Sequence, residues 1–277
     1  MDTNTTPAPL QCTSCGQTLT RDIVYCPACE FPSIYHVDHS VPAEFRHIPT
    51  GGPGATGRIM DMVYHIEGAF VPVLRFDLHH YKIYFEHHVL LWKDEPVDIS
   101  ARAMPGIGSR IIAGLPIFLT QARGPGRIAF SRDGVGQVIP IHLHGGEELQ
   151  VRKHSWLAAT DNIAYTYRRV RGFKNIFFGG AGFFMDEFSL GSGEGVLFLH
   201  GYGNVFQATL DRNQTILVEP GGFLYKDTSV QMDTVFTNLS TGFFASAGLT
   251  MQRFTGPGRL GIQSMYLHMP GATPTGS

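Results

Sequence analysis

The chain predicts an all-β protein: a small zinc ribbon followed by a three-repeat antiparallel β domain. Three observations carry this prediction. Only 16% of the 277 residues are charged, whereas Gly (33) and Phe (20) are abundant, a balance that favours strands joined by tight turns. Apolar residues alternate in short runs, as in Ile83 and Phe85, Leu149 and Val151, and Ile216 and Val218. Such alternation puts every second side chain on one buried face. Finally, several landmarks recur at intervals of 65–68 residues.

The N-terminal element rests on cysteine spacing. Cys12 and Cys15 form one C-x-x-C pair, and Cys26 and Cys29 form a second, ten residues further on. Each pair aims two thiolates at one ion, and two pairs complete a tetrahedral zinc site with Zn–S near ~2.3 Å. Gly16 follows the first pair, where a tightening backbone needs conformational freedom. Four thiolates leave no open position for substrate water, so the expectation is one structural zinc per chain. Disulfides, free thiols and a thioredoxin-like redox pair are the competing readings. The last would need a βαβ context around a single C-x-x-C. Residues 1–38 are assigned to this ribbon. They hold one basic residue against four acidic ones, which argues against nucleic acid and for a protein as the ribbon's partner.

Residues 39–60 carry Pro42, Pro49, Pro53 and four glycines, and read as a linker. Residues 61–277 form the β domain. Its first unit contains the runs Val73–Leu78, Ile83-Tyr84-Phe85-Glu86 and Leu90-Leu91-Trp92-Lys93. The second contains Ile139-Pro140-Ile141-His142-Leu143, Leu149-Gln150-Val151-Arg152 and Trp156-Leu157-Ala158-Ala159. The third contains Phe206-Gln207-Ala208-Thr209-Leu210, Ile216-Leu217-Val218-Glu219 and Phe223-Leu224-Tyr225-Lys226. Phe85, Val151 and Val218 correspond at spacings of 66 and 67 residues. Gly124-Pro125-Gly126-Arg127, Gly191-Ser192-Gly193-Glu194 and Gly256-Pro257-Gly258-Arg259 recur at 67 and 65. Ala113-Gly114, Ala181-Gly182 and Ala247-Gly248 give a third series. Equivalence of the units predicts that Phe85, Val151 and Val218 are buried, and that Leu91, Leu157 and Leu224 share related core positions. An architecture that pairs or covers its edges is expected.

These landmarks resemble those of the Altered Inheritance of Mitochondria (protein twenty-four) family, a mitochondrial biogenesis family. The resemblance covers residues 61 to about 267, and rests on the Glu86…Leu91-Trp92 segment, the two Gly-Pro-Gly-Arg corners and Gly191-Ser192-Gly193-Glu194-Gly195-Val196. It implies a fold similar to that of the tryptophan RNA-binding attenuator protein, and brings no catalytic residues with it. Its mitochondrial members are associated with inner-membrane organisation. The N-terminal ribbon is an addition to the family's minimal pattern.

Function classes can be narrowed further. The β domain holds 18 basic and 18 acidic residues, without the cationic excess that phosphate-backbone binding needs. Arg168, Arg169, Arg171 and Lys174 are a local exception, read as a solvated strand edge. No G-x-S-x-G elbow, phosphate-binding loop or dinucleotide fingerprint occurs. The N-terminus lacks the order of a secretory signal, and no apolar run approaches the ~18 residues of a membrane span. A cytoplasmic location is expected, with homo-oligomerisation left open.

One segment resembles the first metal motif of cupins: Gly136-x5-His142-Leu143-His144-x3-Glu148. Its two histidines share a strand face, but the third unit lacks a second motif. His79-His80 and His87-His88 are adjacent pairs that point to opposite faces if extended. Phe177, Phe178, Phe183, Phe184, Phe243 and Phe244 are read as core, with a partner or membrane surface as the alternative. The function expected is therefore that of a non-enzymatic binding or scaffold protein whose zinc ribbon docks a partner. The alternatives are a cupin-like metal-dependent enzyme using His142 and His144, and a small-ligand or RNA binder by fold analogy.

Overall fold

The structure, a computed structural model, describes residues 10–11, 17–19, 28, 43–48, 55–60, 62–103, 118–170, 183–237 and 249–265. The chain divides into two compact units, Met1–Pro42 and Ala43–Ser277. In the first, β1 (Leu10–Gln11) and β2 (Thr18–Leu19) pair antiparallel, with Leu10 opposite Leu19. This pair flanks the first C-x-x-C. Cys12, Cys15, Cys26 and Cys29 themselves lie outside the described residues.

The second unit is all β, and its described strand pairs are antiparallel. Its first strands are β3 (Arg46–His47), β4 (Ala55–Ile59), β5 (Met62–Glu67), β6 (Val73–Leu78), β7 (Lys82–Phe85), β8 (Leu90–Lys93), β9 (Asp98–Ala103), β10 (Phe118–Arg123) and β11 (Gly126–Phe130). Next come β12 (Gly136–His144), β13 (Glu148–Arg152), β14 (Trp156–Thr160), β15 (Ala164–Val170), β16 (Phe183–Ser189) and β17 (Glu194–Tyr202). The last are β18 (Val205–Leu210), β19 (Thr215–Val218), β20 (Phe223–Asp227), β21 (Gln231–Thr237), β22 (Leu249–Thr255) and β23 (Gly258–Gln263). Two pieces of the segment read as a linker are thus strands: β3 pairs with β18, and β4 with β5. Among the described residues no helix is long and apolar enough to cross a membrane.

The described strands of the second unit form four sheets. Their orders are β12-β17-β14-β7-β10-β9, β15-β16-β13-β20-β23-β18-β3, β4-β5-β6-β11-β8 and β19-β22-β21. Period-two burial is clearest in β5 and β6, where Met62, Tyr64, Ile66, Leu74, Phe76 and Leu78 are buried and the residues between them less so. β14 is instead buried throughout, because it lies inside its sheet and is covered on both faces.

The same pairing recurs at three places. β11 pairs with β8 through Ile128–Lys93 and Ala129–Trp92, then skips Leu91 and resumes at Phe130–Leu90. β17 pairs with β14 through Leu197–Ala159 and Phe198–Ala158, skips Leu157, and resumes at Leu199–Trp156. β23 pairs with β20 through Leu260–Lys226 and Gly261–Tyr225, skips Leu224, and resumes at Ile262–Phe223. Each skip is a β-bulge, which bends the strand and increases its twist.

Turn geometry follows the same lines. Gly126 and Gly258 sit at φ +132° and +136°. A Cβ on Gly126 would lie 2.8 Å from Val97 Cγ2, and one on Gly258 2.9 Å from Val230 Cγ2. Asp94 accepts hydrogen bonds from the backbone N and Nε of Arg127, at 2.9 and 3.0 Å. Asp227 does the same for Arg259, at 2.6 and 3.0 Å. Between these, the Val196 amide donates to Thr160 Oγ1 at 3.2 Å. The ladder therefore aligns Gly195-Val196, two residues beyond Gly193-Glu194, with Gly126-Arg127.

Phe85, Val151 and Val218 are all buried, at 0, 0 and 8% exposure. Leu157 and Leu224 are fully buried, but Leu91 is 53% exposed. The expectation for Leu91 is corrected by position: β14 and β20 have neighbours on both sides, whereas β8 ends its sheet. One core cluster packs Phe76, Phe85, Phe130 and Phe198, with Phe76 edge-on to Phe198 at 5.1 Å between ring centroids. A second surrounds Trp156 with Tyr84, Tyr165 and Phe188. A third stacks Phe223 on Phe254 at 5.2 Å. Phe177, Phe178, Phe243 and Phe244 lie outside the described residues.

Candidate functional site

Within residues 43–277, two strand pairs each join distant segments of the chain inside one sheet. β7 pairs with β14 through Phe85–Ala158, Tyr84–Ala159 and Ile83–Thr160. β13 pairs with β20 through Val151–Tyr225, Gln150–Lys226 and Leu149–Asp227. Ionisable side chains gather at the end of the first joint.

Glu86 follows β7 in extended conformation, just before the single 3-10 turn His87–Val89. That turn brings His88 back over the carboxylate, with Nε2 3.2 Å from Glu86 Oε2. From the other side, His154 follows β13 at φ +63° and places Nδ1 3.6 Å from Glu86 Oε1. The two imidazole rings are 5.9 Å apart and nearly perpendicular. One donor atom from each of Glu86, His88 and His154 lies within 4.8 Å of the other two. Glu86 is largely shielded, while both histidines are exposed.

Two buried groups back this cluster. Arg132 is 8% exposed and sets its guanidinium 3.7 Å from Glu86 Oε2. Its charge also bears on His200, which burial above all pushes down to about 4. Asp186 is buried, and Tyr165 donates a hydrogen bond to its Oδ1 at 2.8 Å. Burial first, and the Glu86 charge second, push the Asp186 carboxyl up to about 7, against the Tyr165 hydrogen bond and His154.

Two imidazole nitrogens and a carboxylate oxygen are the donor set of borderline divalent cations such as Zn²⁺, Co²⁺ or Mn²⁺. The solvent-facing side of the histidines leaves room for water in the remaining positions. Arg132, 3.7 Å from the Glu86 carboxylate, opposes a cation there by its charge.

His142 and His144 lie on the same exposed face of β12, as their spacing predicts. The His144 amide donates to Glu147 Oε2 at 2.9 Å, and its Nδ1 is 4.0 Å from Glu194 Oε1. Neither histidine belongs to the three-donor group found among the described residues. His79 and His80 are exposed in the bend between β6 and β7. Arg168 pairs with Glu187 at 2.9 Å. The convergence of His88 and His154 was missed by inspection of adjacent pairs. Its signal was their separation of 66 residues, the same as that between Phe85 and Val151.

Comparison with known proteins places this architecture. The family described as mitochondrial biogenesis AIM24 matches residues 64–265. No curated protein matches the chain. A crystal structure of a Streptococcus pyogenes protein is similar at a TM-score of 0.56 and 23% identity, covering 74% of this chain and 94% of that one. At that identity the likeness concerns the fold.

Proposed function

The chain belongs to the mitochondrial biogenesis AIM24 family, and from that premise we propose that it is a non-enzymatic scaffold acting in the cytoplasm. In this reading the β domain is built from three like units in an arrangement similar to the attenuator protein's. The ribbon, closed by zinc on Cys12, Cys15, Cys26 and Cys29, docks a protein partner. The observation that carries the reading is the recurrence of one bulged pairing at Leu91, Leu157 and Leu224. A scaffold needs repeated, rigid, sheet-built surface more than it needs a reactive centre.

Metal analysis of the purified chain should find about one zinc per chain held by the ribbon. Cys12→Ser with Cys15→Ser should remove it and leave the far-UV spectrum of the β domain unchanged. A partner captured by the intact chain should be lost from that variant. Zinc retained in the variant refutes the ribbon, and a partner retained equally refutes its docking role.

A second reading, metal-dependent chemistry, is supported at Glu86, His88 and His154 rather than at His142 and His144, because the former bring three donors within 4.8 Å. Equilibrium dialysis with Co²⁺ tests it in the Cys12→Ser, Cys15→Ser background, which excludes the ribbon. Binding that disappears with His154→Ala and survives His142→Ala supports this centre. Absence of binding excludes it.

A further inference from the structure

We propose that the protein associates head to tail with copies of itself, the β19 edge of one copy pairing with the β8 edge of the next. The inference rests on the three-unit reading above, and on strand register.

The two joints within the chain are alike residue for residue. In both, the third strand of one unit pairs with the bulged strand of the next. Phe85 faces Ala158 and Val151 faces Tyr225. Phe85, Val151 and Val218 correspond, as do Trp92, Ala158 and Tyr225, each of the last three lying one residue past the skipped leucine. The same rule applied once more sets Val218 opposite Trp92, Leu217 opposite Lys93 and Ile216 opposite Asp94.

Among the described residues that third joint is not made. β8 is the terminal strand of a five-stranded sheet, and β19 the terminal strand of a three-stranded one. Joined, they give the order of the other two large sheets: three strands of one unit, then the bulged strand and its neighbours from the following unit. The side chains record the difference. At the made joints Tyr84, Phe85, Leu157, Ala158, Leu224 and Tyr225 are fully buried. At the open edges Leu91, Trp92 and Leu217 are 53, 37 and 45% exposed. Lys226 is 4% exposed, whereas its counterpart Lys93 faces solvent.

The strand ends fit as well. Across the first joint Glu86 meets His154, and across the second Arg152 donates to the carbonyls of Pro220 and Gly221. Glu219, the residue after β19, is the corresponding one; its Oε2 accepts from the Gly221 and Gly222 amides at 2.6 and 3.2 Å. By the same rule its free carboxylate edge faces the turn that holds His88 of the second copy. The two edges differ from each other, so the contact is heterologous and propagates around a ring or along a filament. Unpaired edges bearing apolar side chains are what strand addition uses, and β8 and β19 match in length at four residues each.

Analytical ultracentrifugation of the full chain tests this. The expected result is a species at a multiple of the 30.5 kDa chain mass that dissociates on dilution. Trp92→Glu and Leu217→Glu should each give smaller species while keeping the far-UV spectrum. Mixed together, the two variants should form dimers and nothing larger, since each retains one sound edge. A monomeric wild type, whether its edges close on each other or are covered by another segment, overturns the proposal. Larger species unchanged by both substitutions overturn it too. Ala158→Glu and Tyr225→Glu report separately on the three-unit reading. If they lower the melting temperature strongly while Trp92→Glu does not, that reading stands even where association fails. Equal tolerance at all three positions sinks both.

Discussion

Asp186 and His200 oppose each other in their effect on stability. The Asp186 carboxyl is raised to about 7, so its favourable contribution is complete below its ordinary value near ~4 and is lost as pH rises through 7. His200 is lowered to about 4, so its contribution is complete above its ordinary value near ~6.5 and is lost as pH falls through 4. Between pH 4 and 6.5 the two slopes cancel in the metal-free protein. Asp186→Asn should therefore expose a stability that rises with pH over this window, and His200→Gln one that falls from pH 4 to 7. Urea titrations at several pH values measure both. Neither group was legible in the sequence, because burial of a lone Asp or His depends on sheets meeting from distant segments. The zinc thiolates are the contrary case: their spacing alone specifies the expected site, since all four donors fall within 18 consecutive residues.

At the scale of elements, strands were legible wherever apolar residues alternate, as in β5 and β6. Corners were legible where Gly-Pro-Gly occurs. The glycine after each proline has a left-handed φ and no room for a side chain. Gly126→Ala and Gly258→Ala should each cost ~1–3 kcal/mol, whereas Gly191→Ala, whose added carbon meets nothing within 4 Å, should be nearly silent. Chemical denaturation checks all three. In the middle unit the Gly-Ser-Gly run lies two residues short of the structural equivalent. Thr160 and Val196 take the places of aspartate and arginine there, and so left no charged signature. Leu91 shows another limit. A residue's place in a repeat fixes its backbone pairing, but its burial depends on whether a neighbouring strand is present.

At the scale of the molecule, aromatic packing crosses sequence boundaries. Phe198 lies on β17 yet packs edge-on against Tyr64 at 4.8 Å and Phe76 at 5.1 Å, both from the first third of the chain. Phe76→Ala and Phe198→Ala should each cost ~3–5 kcal/mol. Their double mutant should cost less than the sum, because the rings touch. A fragment ending at residue 133 should lack a melting transition, since Phe198 and β14 would be missing from its core. Class and family were legible because glycines and apolar periodicity specify them. The joints between distant segments were not, since strand order across a repeat leaves no local trace.

The two joints share a register but not their end residues: a glutamate follows β7, and an arginine is the last residue of β13. Backbone geometry alone would let β7 mate with β20 as readily as with β14. During synthesis, when β7 emerges well before either candidate, such a mistaken match would trap the chain. Glu86 meets the imidazole of His154, whereas Arg152 donates to the Pro220 and Gly221 carbonyls before β20. Exchanging mates would set the Glu86 carboxylate against those carbonyls, acceptor against acceptor, so the end residues make the two joints non-interchangeable.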